Sequence, residues 1–185
     1  MDKLLIDGQQ SLSGSVRISG AKNSVLPMLC ASVMVSDGQV ELESVPHLQD
    51  VTTTTRLLTQ MGISVTMDEF MDISLDPSTI HNLYAPYELV KTMRSSILVL
   101  GPLLAKYGEA KVSLPGGCAI GMRPVDMHLV ALQKMGASIS VENGYITAKV
   151  KKLKGTEIVF PRKSVTGTEN IICLLYTSDA ADERN

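Results

Sequence analysis

Leu58-Thr59-Gln60-Met61-Gly62-Ile63-Ser64-Val65 returns 74 residues downstream as Leu132-Gln133-Lys134-Met135-Gly136-Ala137-Ser138-Ile139. In both places a helical run ends at Met-Gly and passes into an alternating strand. A glycine just past the last helical residue suits the left-handed position that closes a helix. The neighbours on either side repeat as well. Asp50 matches Asp126, 76 residues on, and each stands near the start of its helix, where a carboxylate suits the positive end of the helix dipole. Gly38 matches Gly108, 70 residues on, and each stops an apolar helix (Val25 to Val35; Ser95 to Lys106). A short alternating strand follows (Val40 to Glu43; Ala110 to Ser113). After Met-Gly come two strands (Ile63 to Met67 and Met71 to Leu75; Ser138 to Val141 and Tyr145 to Val150), the last two joined by the hairpin signal Asn143-Gly144. Small drifts in spacing are what loop insertions produce.

With Ser15 to Ser19 as an opening strand, each unit reads βαβαββ. A third copy begins at Glu157 to Phe160, takes Thr166 to Ile172 as its first helix, and does not finish. The fold class is therefore mixed α/β (α+β), built from repeated βαβαββ units. A unit with one apolar helix face cannot bury that face alone, so an interrupted third unit leaves the core open, exposes an apolar surface and makes solubility marginal. Leu174 to Asn185 breaks the pattern, turning polar and acidic within one turn, and matches the translation of a transposon-end adapter used in sequencing libraries. Cys173 fits either side of the break, so residues 173–185 are read as a non-native tail; the other reading is a genuine acidic C-terminus.

The chain has 185 residues, room for one domain or one and a part. Hydrophobic residues at 44% supply a core, while aromatics at 4% and no Trp argue against stacking surfaces for single-stranded nucleic acid. The 17 Lys and Arg nearly balance the 19 Asp and Glu without forming a basic stripe, which disfavours nucleic acid and membrane surfaces as partners. The longest apolar run, Ile97 to Ala105, is interrupted by Gly101 and Pro102 and is too short for a bilayer. No apolar leader opens the chain. Cys30, Cys118 and Cys173 fit neither a zinc pattern nor a disulfide framework, which reads as a reducing, cytoplasmic location. His47, His81 and His128 lack metal-ligand spacing, so no metal and no cofactor are expected.

Three segments could carry chemistry. Leu114-Pro115-Gly116-Gly117-Cys118-Ala119-Ile120-Gly121-Met122-Arg123-Pro124-Val125-Asp126-Met127-His128 presents a cysteine on a glycine-rich loop, with an arginine just before a helix N-terminus. Glycines let the backbone approach a ligand closely, and an arginine at a helix start makes an anion site. The plainer alternative is a surface loop with a small buried cysteine. Ser19-Gly20-Ala21-Lys22-Asn23-Ser24 joins a strand to an apolar helix and puts Lys22 and Asn23 at the helix start, where a lysine is otherwise simply solvated. It is neither a Walker A loop nor a dinucleotide fingerprint. Lys91-Thr92-Met93-Arg94 and Arg162-Lys163-Ser164-Val165 occupy the equivalent place in the second and third units. Units packed about a common axis would bring these cations to one mouth, as a multiply anionic substrate requires.

Ser19-Gly20-Ala21-Lys22-Asn23, Pro86-Tyr87-Glu88-Leu89-Val90-Lys91-Thr92-Met93-Arg94-Ser95-Ser96 and Leu114-Pro115-Gly116-Gly117-Cys118-Ala119-Ile120-Gly121 together resemble the UDP-N-acetylglucosamine 1-carboxyvinyltransferases, enolpyruvyl transferases that open peptidoglycan synthesis. The resemblance runs from Met1 to about Ile172. The sister family that makes enolpyruvylshikimate phosphate shares the repeat fold but not the Pro-Gly-Gly-Cys loop. The resemblance implies an inside-out α/β barrel with helices within and sheets outside, three units to a domain and two domains to an enzyme. By it, residues 1–21 belong to the second domain, residues 22–172 form the first domain with about two complete repeats and the start of a third, and the chain is truncated. The implied reaction moves the enolpyruvyl group of phosphoenolpyruvate to the 3′-hydroxyl of UDP-N-acetylglucosamine and releases phosphate. The alternative is a non-catalytic UDP-sugar or anion-binding module on the same fold.

The resemblance also implies roles. Cys118 would be the acid that protonates the methylene carbon, and the sulfur that fosfomycin-type epoxides alkylate. A thiol with a pKa of about 8.5 keeps its proton at neutral pH and can release it beside cations. Lys22 and Arg123 would hold the charges of phosphoenolpyruvate, with Asn23 and Arg94 in the same cleft. Arg123, Pro124, Val125, Asp126 and Met127, with Arg162, Lys163, Ser164 and Val165, would hold the UDP-sugar. The base for the sugar hydroxyl and a further arginine would lie in the second domain. Gln49 stands where the family often has a basic residue, which removes one anion contact.

Overall fold

The computed structural model describes residues 3, 5, 7, 8, 11, 13–16, 18–91, 93–114 and 125–175, and the side chains of Arg94, Leu174 and Leu175 are not described. The first unit runs through helix α1 (Lys22–Ala31) with a 3-10 turn at its end (Ser32–Met34), strand β1 (Val40–Leu42), helix α2 (Gln49–Met61) and strands β2 (Ser64–Met67) and β3 (Ile73–Asp76). A second 3-10 turn (Pro77–Thr79) leads to the next unit. That unit holds strand β4 (Tyr84–Ala85), the short helix α3 (Tyr87–Val90), a 3-10 segment (Arg94–Val99) continuing into helix α4 (Leu100–Tyr107), strand β5 (Glu109–Ser113), helix α5 (Asp126–Lys134) and strands β6 (Ser138–Glu142) and β7 (Tyr145–Lys149). Helix α6 (Val165–Leu175) begins the third.

The two sheets share one plan. The first has the order β1-β3-β2, and the second β4-β5-β7-β6, so β1, β2 and β3 correspond to β5, β6 and β7. All these pairs are antiparallel, while β4 joins β5 in parallel. Such a parallel pair needs a crossover, and α3, the 3-10 segment and α4 supply it. Both helices that end at Met-Gly close on a left-handed glycine, Gly62 with φ 104° and Gly136 with φ 96°. The Asn143-Gly144 turn between β6 and β7 has positive φ at both residues, 51° and 79°, the two-residue hairpin expected of that pair.

The sheets bury one face each. On β5 and β7, Ala110, Val112, Ile146 and Ala148 turn inward, while Lys111 faces out over the rings of Tyr84 and Tyr145, 5.6 and 5.1 Å from their centroids. Helix α4 is buried on all sides: Leu100, Gly101, Pro102, Leu103 and Leu104 are consecutive core residues, and a helix apolar all round belongs inside. Helices within and sheets outside is the inside-out arrangement expected above.

Helix direction decides where the site lies. Helix α1 packs on the 3-10 segment Arg94–Val99, and the turn that ends α1 packs on α4, so the two run parallel. The Lys106 ammonium, at the end of α4, donates to the carbonyls of Val33 and Val35 at 3.0 and 2.6 Å, tying the two C-terminal ends together. Asn170 of α6 bonds Ile97 and Gly101, and Cys173, a turn later, lies close enough to Cys30 to push that thiol up. Helix α6 therefore advances in the same direction. The first helices of all three units begin at one end of the molecule.

Two expected strands do not form. The described residues between Ser15 and Ser19 carry no strand, and Val16 and Ile18 are 86% and 87% exposed. Residues 157–160 are likewise irregular, with Val159 exposed. The reason is pairing: β4 is a strand because β5 returns alongside it after the helix, and the strand that would stand beside 157–160 would follow α6. The third-unit helix is also longer than expected, extending over Val165–Leu175 and taking in Cys173 and the first residues of the presumed tail.

Candidate functional site

Lys22 is the first residue of α1, and its ammonium donates to the Asp50 carboxylate at 2.8 Å. Asp50 lies in the first turn of α2, so α2 begins at the same end of the molecule as α1. Arg162, three residues before α6, reaches both carboxylate oxygens of Asp126 at 3.1 and 3.3 Å, which brings the start of α5 there too. Five helical N-termini thus share one end: α1, α2, the Arg94–Val99 segment, α5 and α6. Each directs unpaired backbone N–H groups and the positive end of its dipole outward. Several such ends with two cationic side chains form a surface suited to anions.

The expected residues distribute over this surface unevenly. Lys22 and Asn23 are exposed at the start of α1, and the backbone of Arg94 opens the 3-10 segment. Asp126, Arg162, Lys163 and Val165 are exposed on the same end, and Val125 is half-buried before α5. Met127 is buried and contributes packing. The Ser164 hydroxyl accepts from the Gly167 amide at 3.1 Å and so caps α6. Lys91 turns aside to Glu88, its neighbour one helical turn back, which holds its ammonium above the ordinary lysine range. Cys118, Arg123 and Pro124 lie outside the described residues; Leu114, ahead of them, follows β5 directly, and Val125, after them, directly precedes α5.

The structure adds contacts that the sequence pattern did not supply. Asp50 was legible as a helix-start carboxylate, but its pairing with Lys22, 28 residues away, is tertiary. Beneath the surface lies a buried polar cluster. The Asn170 side chain accepts from the Gly101 amide at 2.9 Å and donates to the Ile97 carbonyl at 3.1 Å. Those backbone partners fix which way the amide points, so its NH2 faces His128 Nδ1 at 3.0 Å, and Nδ1 must accept. The His128 proton then sits on Nε2, 3.4 Å from the Thr166 hydroxyl. Gly101 is required here, because a Cβ would stand 2.1 Å from Asn170 Oδ1. One node thus ties α4, α5 and α6 together just behind the shared end.

Cys30 and Cys173 are placed for packing. Burial pushes the Cys30 thiol far above its ordinary range, with Cys173 and Glu169 adding in the same direction. Burial also raises Cys173. A raised thiol pKa keeps the proton on sulfur and favours a packing role for both. Among the described residues no group of three or more His, Cys, Asp or Glu could hold a metal, and no helix is long and apolar enough to cross a membrane.

Solved structures share this fold. The enolpyruvyl transferase NikO from Streptomyces tendae superposes with a TM-score of 0.66 at 22% identity, over 79% of this chain and 32% of that one. EPSP synthase from Acinetobacter baumannii does so with a TM-score of 0.66 at 19% identity, over 89% of this chain and 38% of that one. The chain thus spans under two fifths of the length of these relatives. At the level of sequence, residues 6–183 match the family described as EPSP synthase (3-phosphoshikimate 1-carboxyvinyltransferase). That match takes in both of the first two units, α6 and every candidate segment above, and the chain belongs to this family of enolpyruvyl transferases.

Proposed function

We propose that this chain is the N-terminal part of an enolpyruvyl transferase acting on phosphoenolpyruvate and UDP-N-acetylglucosamine. The observation that carries the reading is the meeting, at one end of the molecule, of five helical N-termini with Lys22, Arg162 and the residues on either side of 115–124. A phosphate and a carboxylate on one small molecule are the groups such an end recognises. The thiol of Cys118 protonates the methylene carbon, and the sugar 3′-oxygen bonds to the adjacent carbon while losing its proton to a base. The tetrahedral adduct then expels phosphate as the methyl group gives a proton back. Lys22 and Arg123 stabilise the charge that moves onto the phosphate and carboxylate. The Pro115-Gly116-Gly117-Cys118 run supports the nucleotide sugar over shikimate 3-phosphate as acceptor. The base and a second cation set come from a further domain, so these 185 residues alone do not turn over.

The test begins with genomic DNA read past the codon for Ile172 and the full product expressed. That enzyme should release phosphate from phosphoenolpyruvate with UDP-N-acetylglucosamine and not with shikimate 3-phosphate. The reverse preference would overturn the acceptor assignment. In the same enzyme, Cys118→Ala should abolish labelling by fosfomycin in a mass spectrum, and labelling that persisted would move the acid elsewhere.

A further inference from the structure

Lys22 is poorly placed for stability. A cation in the first turn of a helix opposes the dipole. Helix α1 has no acidic residue in its first turn, and Ala21 offers no side-chain cap. The only described counter-charge bonded to Lys22 is Asp50. The two partners differ in freedom. Asp50 is fixed in the first turn of α2, which packs directly on α1, and its carbonyl accepts from the buried Thr54 hydroxyl at 2.8 Å. Lys22 carries its charge on a flexible four-carbon stem. The pair is 44% and 32% exposed, the class of solvent-screened ion pair that contributes little. A phosphate group near two negative charges outbids a single carboxylate for such a lysine. Asp126, the repeat counterpart of Asp50, holds Arg162 in the same fashion, although its cation comes from the next unit.

We propose that Asp50 is a built-in counter-anion that an incoming phosphate displaces from Lys22, and that it sets the affinity of the site by competing for that ammonium. The proposal rests on the reading of Lys22 as an anion ligand. Binding is measured on this chain by following the backbone amides of residues 22–24 in 1H–15N NMR spectra, with phosphoenolpyruvate and inorganic phosphate as probes. Asp50→Asn should tighten binding by about two- to fivefold, the span of a weak exposed pair, and Asp50→Glu should restore the original affinity. The gain should vanish in a Lys22→Met background. A gain that survives without Lys22 would reduce the effect to a general field and overturn the proposal. Unchanged or weaker binding in Asp50→Asn, with Lys22→Met weaker still, would overturn it and leave Lys22 as an anion ligand. No binding by any of these chains, or binding indifferent to Lys22→Met, would sink the reading of Lys22 and the counter-anion with it.

Discussion

Asn170 is the residue on which the packing of the third unit turns. Its side chain serves three buried groups at once, the Gly101 amide, the Ile97 carbonyl and His128 Nδ1. Leucine at this position has similar bulk but leaves all three without that partner, and one buried unsatisfied group costs about 1–3 kcal/mol. Asn170→Leu should therefore lower the urea midpoint by an amount equivalent to at least about 2 kcal/mol. Thr168→Ala, which removes an exposed bond to the carbonyl of Ser164 just before the same helix, should change it by no more than about 0.5 kcal/mol. Equal effects would show that the node is no more than helix packing. The node was half legible. Gly101 stands out as a glycine in an apolar helix, which invites the question of what approaches it, but nothing local points to a partner 69 residues away. Cys30 makes a pH prediction. Its folded-state pKa is raised, so its contribution is complete below the ordinary thiol pKa of about 8.5 and is lost as pH rises, by about 1.4 kcal/mol per unit. Denaturation midpoints between pH 7.5 and about 9.5 should fall less steeply for Cys30→Val than for the parent. Cys173 supplies a slope of the same sign and remains in both.

At the level of elements, helices and hairpins were readable and opening strands were not. Helices α1, α2, α4 and α5 carry their own signals: an apolar stripe or run, a first-turn carboxylate on α2 and α5, and a closing glycine after α2, α4 and α5. The β6–β7 hairpin carries its turn. A strand such as 15–19 or 157–160 exists only if a distant segment pairs with it, and local alternation says nothing about that partner. The site followed the same division. The placing of Lys22, Asn23 and Arg94 at helix starts follows from the local sequence, whereas the ion pairs that hold Lys22 and Arg162 depend on helix packing. Helix α1 is the element where function and stability pull apart. Ala21 has the extended φ of −89° and ψ of 123° that a capping residue adopts, yet bears no capping group. Ala21→Asp should stabilise the chain by about 1 kcal/mol through a side-chain bond to the first-turn amides, read as a higher melting temperature. The added charge beside Lys22 should weaken phosphate binding in the same protein. A variant that gained stability and bound as well as the parent would show that the first turn of α1 does not face the anion.

Across the whole molecule, protection is distributed by how many sides of each helix are covered. Helix α4 is enclosed by β5, the 3-10 turn that ends α1, and α6, and Leu100, Leu103 and Leu104 are fully buried. Helix α6 packs inward on α4 and α5 but leaves Val165 and Ile172 72% and 58% exposed, because the described residues supply nothing on its outer side. An element with one covered face opens at a lower free energy than one covered all round, and amide exchange reports that difference directly. The amides of α6 should exchange at least about tenfold faster than those of α4, the factor expected from a gap of about 1.4 kcal/mol in opening energy. Fragment-resolved deuterium uptake by mass spectrometry measures both helices in one experiment. Asn170→Leu should widen the gap, since the node is the main polar tie between α6 and the enclosed helix. Matched protection in α4 and α6 would mean that the three units open as one cooperative body, and that the open side of the third costs the fold nothing.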